Sequence, residues 1–305
     1  MIKVGITGGE TSTAGELIRL LVHHPEVEIE TVYSPILKGR SLSSYHKGLI
    51  GEREILFSDA LDFSSLDILF LLSTDQQIVS HIPPELKTIY IQHSDLFSPK
   101  EFLSRQDFVP GVSEMFRKRL VRGALGSRVV PPYTSISLVA LFPLALHLLL
   151  NDSLSLKVLL PKNRSEQVDI PVFKKELESL LHNVQLSFDK IKSVEVENTQ
   201  LIRAIEVEIE FDCGISSSEL ERIYEDIYDD HNFTFIMHGQ PVYSEVSGTH
   251  KCLIYINKPS EDKVKIRAIG DGYLRGGAGD AIHTMNLMCG LYEKTGLTFP
   301  ASLAF

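Results

Sequence analysis

Met1-Ile-Lys-Val-Gly-Ile-Thr-Gly-Gly-Glu-Thr-Ser-Thr-Ala-Gly-Glu-Leu-Ile-Arg-Leu-Leu-Val-His-His24 opens the chain, and its reading decides the fold. Ile2, Val4 and Ile6 alternate as a short β-branched strand, Gly8 and Gly9 mark a tight turn, and from Thr13 the apolar spacing becomes helical through Ala14, Leu17, Ile18 and Leu21. Thr13 and Glu16 have the spacing of a capping box, which predicts a helix starting at Thr13. A helix N-terminus above a glycine turn suits a phosphate, so Gly8, Gly9, Thr11, Ser12 and Thr13 form a candidate cofactor cradle. The dinucleotide fingerprint wants glycine where Thr11 stands, so a βα turn that binds nothing is the alternative reading of the loop.

Working outward, Val27 to Tyr33 is a second strand, ending in Tyr33-Ser34 with Lys38 and Arg40 close behind rather than in a carboxylate. Ser34, Lys38 and Arg40 fit a 2′-phosphate and hence NADP over NAD; a solvated basic loop is the other reading. Leu66 to Leu72 is a near-continuous apolar run, as expected of a strand buried on both faces, and the Ser73-Thr74 pair after it lies where ligand crevices form. Thr88 to Gln92 is a further strand, and His93 after it is either a hydrogen-bonded edge residue or a crevice imidazole. The pattern predicts an α/β fold with a Rossmann-type, doubly wound parallel sheet.

Beyond a buried apolar helix from Ser135 to Leu150 the pattern changes. Leu154 to Leu160, Val184 to Phe188, Leu201 to Phe211, Lys251 to Ile256 and Val264 to Ile269 read as strands, with Glu206, Glu208 and Glu210 on a wet face, so a second α+β domain with a mostly antiparallel sheet is expected. Ser216 caps a helix to about Asp230, and Gly276-Gly-Ala-Gly279 leads into a C-terminal helix, Asp280 to Tyr292. Its glycines permit close approach and its apolar residues surround it, so it should return to the first domain. The expected organisation is residues 1–133 plus 276–305 as an NADP-binding domain and 134–275 as an inserted domain for substrate and dimerisation, with Gly276 and Gly279 in the candidate cofactor set.

A chain of 305 residues suggests two domains, and its net charge of −10 argues against nucleic acid or an anionic membrane as partner. Three cysteines, Cys213, Cys252 and Cys289, without metal-ligand spacing fit a reducing cytoplasmic compartment and give no metal site. No run is long and apolar enough to span a bilayer. A homo-oligomer is expected, with a small-molecule ligand possible.

The opening Val4-Gly-Ile-Thr-Gly-Gly9, with Gly248-Thr-His-Lys-Cys252, Gly276-Gly-Ala-Gly-Asp-Ala281 and Met285-Asn-Leu-Met-Cys-Gly290, resembles the N-acetyl-gamma-glutamyl-phosphate reductase family of arginine biosynthesis. Val109-Pro-Gly, Ser113-Glu114 and Leu141-Phe-Pro-Leu144 follow in the family's order. The resemblance implies an NADP-dependent oxidoreductase of the semialdehyde dehydrogenase type, which reduces an acyl phosphate to an aldehyde through a cysteine thioester. It places the family's nucleophile on Pro132, within Pro131-Pro132-Tyr133, and its histidine near Phe173; the segment before that is shortened to Leu160-Pro-Lys-Asn-Arg164. The first 212 residues contain no cysteine. Tyr133, Thr134, Ser135 and Ser137 beside the vacant position are expected to cap the following helix. No catalytic residue is expected intact, NADP binding is expected to be weak or lost, and a pseudoenzyme acting as a binding or regulatory partner is the alternative to the reductase.

Overall fold

The computed structural model describes residues 1–73, 75–92, 108–162 and 168–301, and divides the chain into two compact units. The first takes in the described residues of Met1–His93 and Phe97–Val130 and the returning segment Gly277–Thr298; the second takes in those of Pro131–Gly276 and Phe299–Phe305.

In the first unit, strands β1 (Ile2–Thr7), β2 (Val27–Tyr33), β3 (Phe57–Ser58), β4 (Ile68–Leu71), β5 (Lys87–Ile91), β6 (Val109–Pro110) and β7 (Gly126–Val129) form one sheet in the order β3-β2-β1-β4-β5-β7-β6, every pairing parallel. The order reverses between β1 and β4, the crevice where doubly wound folds bind ligands. Residues 68–71 are buried throughout, which is why this strand shows no alternation. Helix α1 (Ser12–Leu21) buries Ala14, Leu17, Ile18 and Leu21, and it starts before Thr13: Thr11 is the N-cap and its hydroxyl accepts from the Ala14 amide at 3.1 Å. The cap thus falls ahead of Thr13, the position that its spacing from Glu16 suggests. Short α2 (Leu42–Tyr45), short α3 (Gln76–Val79) and α4 (Ser113–Val121) follow.

The last helix of the chain, Ala278–Met288, belongs to this unit and packs on α1, α4, β5 and β7. It starts two residues before the expected Asp280 and ends four before Tyr292. All its residues are buried, polar ones included, so hydrogen bonds have to accompany the apolar contacts. Asn286 donates to the carbonyls of Glu293 (3.2 Å) and Thr295 (2.8 Å), which fixes its amide and leaves Oδ1 to accept from His24 Nε2 at 3.1 Å. His283 joins Ser113 Oγ at 3.1 Å to Glu293 at 2.9 Å, and Glu293 in turn pairs with Arg117 at 2.6 Å.

In the second unit, α5 (Pro132–Leu146) comes first, then β8 (Ser155–Pro161), α6 (Ile170–His182), β9 (Ser193–Thr199), β10 (Ala204–Asp212), α7 (Ser217–Tyr228), β11 (Thr234–Met237), β12 (Cys252–Ser260) and β13 (Lys263–Asp271); the returning helix is α8. The sheet runs β11-β12-β13-β10-β8-β9, with three antiparallel pairings in its middle and a parallel pairing at each end. Val184 to Phe188 is not a strand. There the buried Gln185 side chain accepts from the Leu150 amide (3.1 Å) and donates to its carbonyl (2.8 Å), satisfying that backbone as a neighbouring strand would. Glu206 is not on a wet face either, being 1% exposed and bonded to Arg267 and Tyr243.

Helix α5 contains Pro143, which lacks the N–H that would bond to the Val139 carbonyl one turn back. Helix α7 supplies the substitute, because the Tyr228 hydroxyl donates to Val139 O while Tyr224 donates to Ala140 O at 2.6 Å. Tyr228→Phe is therefore expected to leave a buried carbonyl unsatisfied and to lower the unfolding free energy by about 1–3 kcal/mol in denaturant titration. Burial lowers the His24 pKa below its ordinary 6.5, against the opposing effects of Asn286, Glu26 and Thr295. Below pH 6.5 the unfolded chain then binds more protons at this site than the folded one, so stability should fall as pH drops from 6.5 toward the lower native value. His24→Gln should flatten that part of a stability-versus-pH curve.

Candidate functional site

The candidate cradle is built at the carboxyl ends of β1, β2 and β4. Gly8 follows β1 with φ +65°, and a Cβ on it would lie 3.1 Å from the Leu72 carbonyl carbon, so this turn requires glycine. Thr7 Oγ1 accepts from the amides of Leu72 (3.0 Å) and Ser73 (3.2 Å), fastening β1 to the loop after β4. Gly9 N donates to the Tyr33 carbonyl at 3.1 Å, which holds the loop against the end of β2 just before Ser34. Gly8, Gly9, Ser34 and Ser73 are thus gathered at one sheet edge, with Thr11, Ser12 and Thr13 in the turn above it.

The amides of Ser12 and Thr13, first in α1, are by position ones an α-helix leaves unbonded, and the helix dipole makes that end attractive to an anion. The side chains around it act differently. Thr11, at the close-approach position, points its hydroxyl into its own helix as the cap. Beside it the Glu10 carboxylate has an oxygen enclosed without a hydrogen-bond partner among the described residues. The Ser34 hydroxyl is likewise buried and unpartnered, while its amide donates to Ser58 O at 2.9 Å. Lys38 is exposed and bound to Asp59 at 2.6 Å, a hydrogen bond that holds the Asp59 carboxyl below its usual range. Arg40 lies over the Tyr45 ring at 5.9 Å.

His46 closes over the loop. Its Nε2 donates to the Gly9 carbonyl at 2.7 Å, and a Cβ on Gly15 would lie 2.6 Å from its Nδ1, so the glycine in α1 makes room for the imidazole. A histidine 37 residues away, in a polar stretch, carries no local signal for that contact. Thr74 and His93 lie outside the described residues, as do Asn163 and Arg164 of the shortened segment.

In the second unit Pro132 is the first residue of α5, after Pro131 as N-cap. None of the hydroxyl residues beside it caps the helix: Tyr133, Thr134, Ser135 and Ser137 lie inside it, all buried, and Ser137 Oγ donates to the Tyr133 carbonyl at 2.7 Å. Phe173 lies inside α6, fully buried, and meets the Tyr133 ring edge-on at 4.9 Å between centroids. Gly276 sits across the start of α5. Its φ is +63° and a Cβ on it would fall 2.3 Å from both N and Cα of Pro132, so backbone packing is what requires glycine there. Gly279 is buried within α8. Cys213 and Cys252 are buried, and burial pushes the Cys289 thiol pKa up. Among the described residues there is no cluster of metal ligands.

Residues 3–122 match the semialdehyde dehydrogenase NAD binding domain. The chain is 33% identical to the N-acetyl-gamma-glutamyl-phosphate reductase of Parabacteroides distasonis, across 97% of this chain and 98% of that protein. It belongs to the N-acetyl-gamma-glutamyl-phosphate reductase family. The reductase of Phocaeicola vulgatus is 30% identical, with 99% of each chain covered. Among solved structures, aspartate semialdehyde dehydrogenase with NADP from Candida albicans superposes with a TM-score of 0.70 at 13% identity, over 95% of this chain and 98% of that one. Aspartate semialdehyde dehydrogenase II from Vibrio cholerae gives 0.67 at 12%, over 96% and 99%. At such identities these two share the fold alone.

Gly276→Ala tests the packing at the start of α5. A methyl group there meets backbone atoms and an unfavourable φ together, so the variant should lose about 2 kcal/mol or more of stability in denaturant unfolding.

Proposed function

We propose that this member of the reductase family does not carry out cysteine thioester chemistry, and that it serves as a binding or regulatory protein with the reductase shape. The observation that carries this reading is the contact between Tyr133 and Phe173. The resemblance aligns the nucleophile with Pro132 and the proton-carrying histidine with Phe173, from two segments about 40 residues apart. Beside Pro132, the structure fills this region with two buried aromatic rings in edge contact, and Gly276 lies against Pro132 itself.

An acyl phosphate needs an easily ionised nucleophile, and aldehyde formation needs a group that moves a proton to the reacting oxygen. Proline supplies no nucleophile and phenylalanine no proton. Cys213, Cys252 and Cys289 do not replace them, since burial withholds the sulfurs of Cys213 and Cys252 and burial raises the Cys289 thiol pKa, which reduces its thiolate.

A nicotinamide dinucleotide would be held through its pyrophosphate by the amides of Ser12 and Thr13 and the turn at Gly8 and Gly9, and when bound it would supply a hydride. The surrounding residues fit it poorly. Thr11 adds a side chain where the backbone has to approach the phosphates, and Glu10 adds a carboxylate. Lys38 is already paired with Asp59. Arg40 and Ser34 favour NADP over NAD, with binding weak or lost. A cytoplasmic homo-oligomer is in keeping with the family reading.

The test is an assay of NADPH oxidation with N-acetyl-gamma-glutamyl phosphate, paired with calorimetric titration of NADPH and NADH. No reduction above background is expected, because removing a nucleophile commonly costs several orders of magnitude in rate. Turnover within a hundredfold of roughly 10 per second would overturn the proposal. A clear preference for the NAD form would show that Ser34, Lys38 and Arg40 do not select the cofactor.

A further inference from the structure

The second unit holds a cavity apart from the contacts of Pro132, Phe173 and Gly276. It has a volume of about 500 Å³ and lies beside β11, the end strand of the sheet, with Phe235, Met237, Leu253, Ser244, Glu245 and Lys251 around it. Phe235 is paired with Leu253 across the β11–β12 ladder, and Met237 follows two residues on, so these side chains share one face and give the cavity an apolar floor. Phe235 is 40% exposed, so its ring is open to a ligand.

Two opposite charges stand at this apolar floor without using each other. Lys251 and Glu245 form no ion pair with one another or with any other described residue. Glu245 accepts one hydrogen bond, from the Val242 amide at 2.9 Å, which fixes its carboxylate on the turn that borders the cavity. Small-molecule sites have this composition: a volume of several hundred Å³, mostly apolar walls and a few placed polar groups.

We propose that this cavity binds a free α-amino acid with an apolar side chain, its carboxylate toward Lys251, its ammonium toward Glu245 and its side chain on Phe235, Met237 and Leu253. Charge complementarity selects this class. A monovalent carboxylate would meet Lys251 but face Glu245, and a monovalent amine would meet Glu245 but face Lys251, whereas a zwitterion satisfies both. The volume accommodates a leucine or phenylalanine with room for water. The site would add a small-molecule input to the second unit, independent of the dinucleotide crevice.

Calorimetric titration of the full chain with L-leucine and L-phenylalanine tests this, with 3-phenylpropionate and phenethylamine as analogues lacking one charge. At least one amino acid should bind with a Kd below about 1 mM, and each analogue should bind about tenfold more weakly or worse. Lys251→Met, at a half-buried position, and Glu245→Gln, at an exposed one, should each weaken amino-acid binding by about tenfold while leaving the melting temperature near that of the parent. The proposal is overturned by absence of binding to both amino acids, by analogues that bind as tightly, or by unchanged affinity in Lys251→Met. Ala301 also borders the cavity, and binding seen only after the residues following it are removed would overturn the proposal, since the cavity would then have an occupant from this chain.

Discussion

The approach of Gly276 to Pro132 is the constraint on which the second unit's site depends. At 2.3 Å from backbone atoms there is no space for a Cβ, so the segment leaving β13 can cross the start of α5 only as glycine. With the two backbones this close, the beginning of the helix is fixed, and the next residue, Tyr133, is directed against Phe173. The first turn of a helix is a favourable place for an anionic nucleophile, because unbonded amides and the dipole both stabilise negative charge. The chain keeps such a helix start and puts an imino acid at its first position.

Polar burial accomplishes the return of α8. A helix with no exposed residue could in principle be held by apolar contacts alone, but then its alignment along the sheet would be weakly specified. Asn286, held by two carbonyls and by His24, and His283, held between Ser113 and Glu293, accept only one placement. Leaving any of these groups unpaired would cost more than its bond contributes, so the network resists sliding of the helix.

Most of the fold was legible in the sequence because parallel-sheet strands announce themselves as apolar runs, as at Ile68–Leu71, and because a glycine turn between a β-branched strand and a helical apolar spacing marks a βα unit. The family resemblance extended this over the whole chain. What escaped has identifiable causes. Ser193–Thr199 is a polar end strand recognised only through its parallel pairing with β8, whereas the apolar Val184–Phe188 forms turns whose Gln185 side chain bonds to the Leu150 backbone. Thr11 and Thr13 carry the same capping chemistry, and only the backbone turn at Gly8 decides between them. His46, and the hydroxyls of Tyr224 and Tyr228 that serve the carbonyls near Pro143, act across long separations for which local pattern gives no sign. In the candidate site, Gly276 was legible as a close approach, but not that the backbone it approaches is that of Pro132.

On the proposed function, no side chain of this protein takes the acyl group from an acyl phosphate. In the absence of NADPH, a reductase of this family would retain that group as a thioester while phosphate leaves, because no hydride is present to release it. Intact-mass spectrometry after incubation of the cofactor-free chain with N-acetyl-gamma-glutamyl phosphate therefore reads the step directly. An unmodified mass is expected; a stoichiometric N-acetylglutamyl adduct, mapped by peptide digestion to one residue of either unit, would show that a nucleophile for this step is present.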